Sequence, residues 1–203
     1  MEKQKLIGIF DKQAAKYAKK SEGSTQKRWR QQLLSHSKGH VLELAAGAGA
    51  NFPFYSSEVR VTAMDFSMAM LEKAKEAAKF HRIDADFICG DIEEMDFPHQ
   101  SFDTIVSTLS FCSYENPLMV LEKINNWCKP DGRILLMEHG ISSNPAVSFL
   151  QKTLDPLLFR LNGCHHTRNI LGLIRESVLT INKTESYWTD MVHLIWASPK
   201  QNQ

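Results

Sequence analysis

From His40 to His139 the chain alternates short β-rich runs with amphipathic helical ones, and this alternation constrains the fold more than any other feature. Strand-like runs fall at 40–45, 60–65, 85–89, 102–109 and 132–138, with helical patterns over 67–80 and 116–128 between them. Lys129-Pro130-Asp131-Gly132 reads as a helix stop and a turn. Alternating β and α units form a parallel sheet covered by helices on both faces. Ligands of such sheets sit at the carboxyl ends of the strands. Polar and small residues should therefore gather just after each strand, and they do. The first strand runs into Ala45-Ala46-Gly47-Ala48-Gly49-Ala50-Asn51-Phe52, and the second ends in Asp65-Phe66-Ser67. Gly90-Asp91-Ile92, Ser107-Thr108-Leu109 and Glu138-His139-Gly140 follow the next three.

The glycine-bearing turn is the sharpest of these signals. Glycine adopts strained dihedrals and lets a ligand approach the backbone where a Cβ would intrude. Glu43 sits inside an otherwise apolar strand, so its carboxylate needs a protein donor or a cationic or hydroxyl-bearing ligand. A dinucleotide loop of the form Gly-x-Gly-x-x-Gly requires a third glycine, and Phe52 stands there instead. Asp65 lies where a carboxylate accepts hydrogen bonds from ribose hydroxyls; it or Ser67 also suits the cap of the next helix. Asp91 suits an adenine amino group with Ile92 against the ring, or the cap of a short helix starting at Ile92.

Glu43-Leu44-Ala45-Ala46-Gly47-Ala48-Gly49, Asp65-Phe66-Ser67-x-x-Met70-Leu71, Ser101-Phe102-Asp103-Thr104-Ile105-Val106-Ser107 and Lys129-Pro130-Asp131-Gly132-Arg133 together carry a family resemblance. They resemble the class I S-adenosylmethionine (SAM) dependent methyltransferases. The resembling branch includes quinone C-methyltransferases, phosphatidylethanolamine N-methyltransferases and alkyl-thiol S-methyltransferases. Ala45 replaces the first glycine of the family pattern Glu-x-Gly-x-Gly-x-Gly. The resemblance implies a Rossmann-like α/β fold whose seven-stranded, mostly parallel sheet closes with an antiparallel hairpin. The β-rich stretches 180–187 and 192–198, joined by Trp188-Thr189-Asp190-Met191, agree with that hairpin. It further implies that SAM and its product S-adenosylhomocysteine contact Glu43, Ala45, Ala46, Gly47, Gly49, Asn51, Asp65, Phe66, Ser67, Met70, Gly90, Asp91, Ile92, Ser107, Thr108 and Cys112. Ser107 to Ser113, Glu138-His139, Leu154-Asp155-Pro156 and Asn162-Gly163-Cys164-His165-His166-Thr167-Arg168 look like the thiol and phospholipid group. Residues 141–170 correspond to the insertion that shapes the acceptor pocket.

Methyl transfer from a sulfonium needs mainly a positioned acceptor lone pair and, for a thiol or phenol, loss of a proton. His139, at a strand end, is the best placed base; His165, His166 and Asp155 are the other candidates. No metal site is expected, because adjacent His165-His166 makes a poor bite. The apolar residues Phe149, Leu150, Leu154, Leu157, Leu158, Phe159 and Leu161 read as the packing face of an amphipathic helix.

The chain's 203 residues suit one domain over 1–203, with 1–35 as an N-terminal helical lid. Helices are expected over 4–20 and 26–35, with a break at 21–25. The first, lysine-rich on one side, could lie on an anionic membrane, fold over a pocket or pack on the core. A net charge of +1 argues against a nucleic-acid surface. So does the absence, after the fourth strand, of the Asn/Asp-Pro-Pro-Tyr/Phe signature of base-methylating enzymes. A small-molecule or lipid-like acceptor is the better expectation. Met1-Glu2-Lys3-Gln4-Lys5 is too charged to open a secretory signal. Cys89, Cys112, Cys128 and Cys164 lack Cys-x-x-Cys spacing, so free thiols and a cytoplasmic setting are expected. Two competing readings are a nicotinamide dehydrogenase, disfavoured by Phe52, and a non-catalytic SAM-binding domain.

Overall fold

The computed structural model describes residues 1–19 and 23–200; Lys20, the last residue of the first expected helix, and Ser21 and Glu22, in the expected break, lie outside it. Two helices lead in, α1 (Lys3–Lys19) and α2 (Ser24–Leu34), followed by β1 (His40–Leu44), β2 (Arg60–Asp65), α3 (Met68–His81) and β3 (Asp84–Cys89). Then come β4 (Phe102–Thr108), α4 (Pro117–Trp127), β5 (Cys128–His139), α5 (Pro145–Asn162), α6 (Ile170–Glu176), β6 (Thr180–Tyr187) and β7 (Val192–Ser198). The seven strands form one sheet in the order β3-β2-β1-β4-β5-β7-β6. The first five are parallel, and β7 runs antiparallel to both β5 and β6. The expected α/β fold and its terminal hairpin are both present.

Alternation along the strands divides the core between the two faces of the sheet. Leu42, Leu44 and Ile105 pack with Trp127 of α4 and Ile170 of α6. Val41, Val61 and Val106 pack with Trp29 and Leu33 of α2 and Ala74 of α3. The winding reverses at β1, with β2 on one side and β4 on the other. Such a reversal leaves a crevice at the strand ends. The glycine turn after β1 opens into it.

Two expectations need correction. Lys129-Pro130-Asp131-Gly132 does not break the chain ahead of β5 but bulges within it. Phe102 pairs with Cys128 and Thr104 with Arg133, so the extra β5 residues are looped out of register. A Cβ on Gly132 would meet Cys128 Sγ at 2.5 Å and the Lys129 carbonyl at 2.8 Å. The bulge therefore excludes a side chain there.

The second correction concerns α5. Its apolar residues do not all face the core: Phe149, Leu150, Leu154, Leu157 and Leu161 are exposed. Leu158 and Phe159 are half-buried, while Asp155 turns inward. The helix is held instead by polar anchors. Asn144 caps it by accepting from the Ala146 and Val147 amides, and Gln151 Nε2 donates to the carbonyls of Gly140 and His166.

Candidate functional site

The carboxyl ends of β1, β2, β4 and β5 surround a cavity of about 260 Å³. Ala45, Ala46 and Gly47 form its floor, with Asp65, Phe66 and Met70 on one side. Thr108 and Leu109 lie opposite, and His139, Cys164 and His166 close the far end. Phe10 and Tyr17 of α1 and Arg30 of α2 line it from above. The Phe10 ring meets the Phe66 ring edge-on at 5.3 Å, and Asp11 accepts from Ser67 Oγ at 2.5 Å. These contacts seat α1 across the mouth.

The turn is built for close approach. Ala45 adopts φ +48° and Gly47 φ +55°, both in the left-handed region. A Cβ placed on Gly47 would meet no atom within 4 Å, so the room beside that backbone is the cavity itself. At Gly49 the reason for glycine differs. Its φ is +83°, and a Cβ would sit 2.9 Å from the Phe52 ring, so it packs the turn against the adjoining helical segment. Asp65 Oδ2 accepts from the Gly47 amide and Oδ1 from the Ser67 amide, each at 2.8 Å. Burial pushes its pKa up to about 6, against the pull of those two amides. Ser67 Oγ caps α3 by accepting from the Met70 amide.

Beneath the turn lies a polar network. Glu43 accepts from Asn51 Nδ2 and from the Tyr55 hydroxyl, both at 2.9 Å. Arg30 donates to Asn51 Oδ1 at 2.6 Å and to Thr108 Oγ1 at 2.8 Å. Glu43 is thus satisfied by protein donors and does not line the cavity; burial raises its pKa to about 7. Its role is to brace Asn51 and Tyr55 under the loop. Arg30 is the contributor that sequence reasoning missed. The available signal was its place on the face of α2 that Trp29, Leu33 and Leu34 bury, where an arginine is exceptional.

The other expected residues divide. Ser107 and Glu138 lie under the cavity: Ser107 Oγ donates to Glu138 at 2.7 Å, and the Ser110 and Phe111 amides donate at 3.0 and 3.1 Å. Ile92 is buried in the core, and Asp91 forms an ion pair with Lys3 of α1 while accepting from the Glu93 amide. Gly90 packs against Met95. Asp155 accepts from His165 Nδ1 at 2.7 Å and from the His166 amide at 2.6 Å. Burial alone would raise the Asp155 carboxyl, but these bonds outweigh it and hold the group below the usual carboxylate range. Asp155 and His165 stand outside the cavity lining; their bonds shape the turn that brings Cys164 and His166 to it.

At the far end, the His139 and His166 rings stack at 4.9 Å. Burial, then the neighbouring His139, lowers the His166 pKa, which favours its neutral, proton-accepting form. The hydrogen bond with Cys112, then that with His139, makes Cys164 the more acidic thiol of the pair. This end can accept a proton and hold a polarisable group. The other end offers a carboxylate, small residues and backbone.

Residues 42–136 match a family model described as a methyltransferase domain. Over 118 residues the chain is 30% identical to a phosphatidylethanolamine N-methyltransferase of Cereibacter sphaeroides, covering 57% of this chain and 58% of that protein. Over 134 residues it is 34% identical to a thiol S-methyltransferase of Rattus norvegicus, covering 63% and 54%. The chain thus spans little more than half the length of either relative. The solved structure of an S-adenosylmethionine dependent methyltransferase from Mesorhizobium loti superposes with a TM-score of 0.67 at 18% identity, covering 86% of this chain and 98% of that one. Residues 42–136 are thus similar to a methyltransferase domain, and the chain shares the fold of that solved SAM-dependent enzyme.

Proposed function

We propose that the protein transfers the methyl group of SAM to a small, largely apolar acceptor, with a thiol or a lipid-type amine as the leading classes. One observation carries this reading: a single cavity joins the Gly47–Asp65 end to the His139–Cys164–His166 end. The residues fit the cofactor, since Gly47 leaves open room and each Asp65 oxygen retains a lone pair beside its one amide bond. SAM, when bound, supplies a methyl on a sulfonium that already carries its leaving group.

In this reading Asp65 holds the ribose hydroxyls and the 45–47 turn lets the methionine portion approach. Arg30, buried at the cavity wall, faces the carboxylate of that portion. Asp91 takes the adenine amino group once Lys3 moves off its carboxylate. His139 and His166 take the proton from the acceptor, and α1 acts as a lid whose Phe10 and Tyr17 exclude water. The acceptor classes come from the relatives, which act on an amino-lipid and on thiols. The exposed leucines of α5, an apolar helix face beside a lysine-rich α1, suit contact with a lipid surface, which is compatible with either acceptor class.

Calorimetric titration with SAM, S-adenosylhomocysteine and NADH tests the cofactor. Binding of the two adenosyl compounds alone, followed by turnover on a panel of thiols, amino-lipids and quinols, is the expected result. Binding of NADH instead would overturn the reading. Adenosyl binding with no turnover on any acceptor would leave a non-catalytic binding domain.

A further inference from the structure

We propose that Cys112, His139 and Cys164 form a site for a soft divalent cation, represented by Zn²⁺, with its open coordination position facing the cavity. Two sulfurs and one imidazole nitrogen from these residues all lie within 4.8 Å of one another. A tetrahedral zinc ion with bonds of about 2.3 Å to sulfur and 2.0 Å to nitrogen needs ligand atoms roughly 3.5–3.8 Å apart. The cluster is therefore within about an ångström of coordinating geometry. Two thiolates and an imidazole are a donor set that selects zinc over magnesium or calcium, and the two thiolate charges neutralise the ion.

The backbone holds the three ligands in place. The His165 amide donates to the Cys112 carbonyl at 3.0 Å, which pins the loop after α5 to the loop after β4. The Cys164 amide donates to Asn162 Oδ1 at 3.0 Å. Gln151 bridges the Gly140 and His166 carbonyls, fixing the end of β5 against the same loop. Cys112 is fully buried, whereas His139 and Cys164 line the cavity. An ion bound here would have three protein ligands and one vacancy on the cavity side, the pattern of catalytic rather than structural zinc.

Such a vacancy selects a thiol acceptor, and this part of the inference rests on the methyltransferase reading. When a thiol binds, a metal–sulfur bond forms, the S–H bond breaks, and the proton passes to water. Metal binding itself does not depend on that reading.

Titration of the reduced, full-length protein with Co²⁺ tests the site. A thiolate-to-cobalt charge-transfer band with the visible bands of a four-coordinate ion, saturating at one equivalent and displaced by Zn²⁺, is expected. Cys112→Ser and Cys164→Ser should each cut the band by at least about half, and His139→Ala should weaken binding at least about tenfold. Cys89→Ser and Cys128→Ser should leave it unchanged. An unchanged far-ultraviolet circular-dichroism spectrum for each variant shows that it is folded. No thiolate band in the wild type, or the same band in the Cys112→Ser/Cys164→Ser double variant, overturns the site. Adding a small alkyl thiol should shift the visible bands; an unchanged spectrum overturns the acceptor role. Adenosyl binding without a cobalt band removes only the metal, whereas a cobalt band without adenosyl binding removes the parent reading.

Discussion

The carboxylate of Asp65 accepts the backbone amide of Gly47 at 2.8 Å. The last residue of β2 therefore fixes the turn that follows β1, and the group proposed to hold the ribose also shapes the floor under the rest of the cofactor. Asp65→Ala is expected to weaken SAM binding by roughly ten- to a hundredfold, the loss of one or two charge-assisted hydrogen bonds. Calorimetry reads this directly. Full affinity in the variant would remove Asp65 from the binding site.

Ala45 carries a positive φ of 48° where the family pattern has glycine. A left-handed alanine costs about 1–2 kcal/mol, part of which glycine returns as unfolded-chain entropy. Ala45→Gly should raise stability by about 0.5–1 kcal/mol, seen as a melting temperature about 1–4 °C higher. An unchanged or lower value would show that the alanine methyl contributes packing that outweighs its strain.

Burial raises the Glu43 carboxyl from 4.5 to about 7. The folded state therefore keeps a proton that the unfolded chain releases across that window. Its contribution to stability is complete below the unfolded pKa and is lost as pH rises through the folded value. The unfolding free energy of the wild type minus that of Glu43→Gln should fall between about pH 5 and pH 8, by up to about 3 kcal/mol. Denaturant titrations at the two pH values measure it. A difference that does not change with pH would mean that the Asn51 and Tyr55 donors keep Glu43 ionised throughout.

Only Leu6 and Ala14 of α1 are buried, yet Phe10 and Tyr17 roof the cavity. Deleting residues 1–19 should leave the sheet folded while accelerating release of S-adenosylhomocysteine about tenfold or more, as expected when a closing segment is lost. Stopped-flow displacement follows the release, and circular dichroism checks the fold. In the same variant, vesicle binding should fall if α1 also meets a lipid surface. An unchanged release rate would reduce α1 to a packing element.

How far each feature could be read from the sequence depended on its range. The strands, α3 and α4, the glycine turn and the polar strand ends all follow from periodicity and from residues adjacent in the chain, and they stand within a few residues of expectation. The bulge of β5 did not show, because Pro130 and Gly132 mark a break equally well whether the chain turns or slips register. The apolar side of α5 misled for a related reason. Its spacing specifies a face but not what that face meets.

The sequence by itself determined the parallel α/β sheet and the glycine turn with its acidic neighbours, since hydrophobic period and backbone freedom are properties of neighbouring residues. Only the tertiary structure decided that Glu43 braces the loop from below, that Arg30 reaches the cavity, and that Cys112, His139 and Cys164 converge. Those relationships join β1, α2 and the loops after β4, β5 and α5, and only the packing of the sheet and its helices sets their distances.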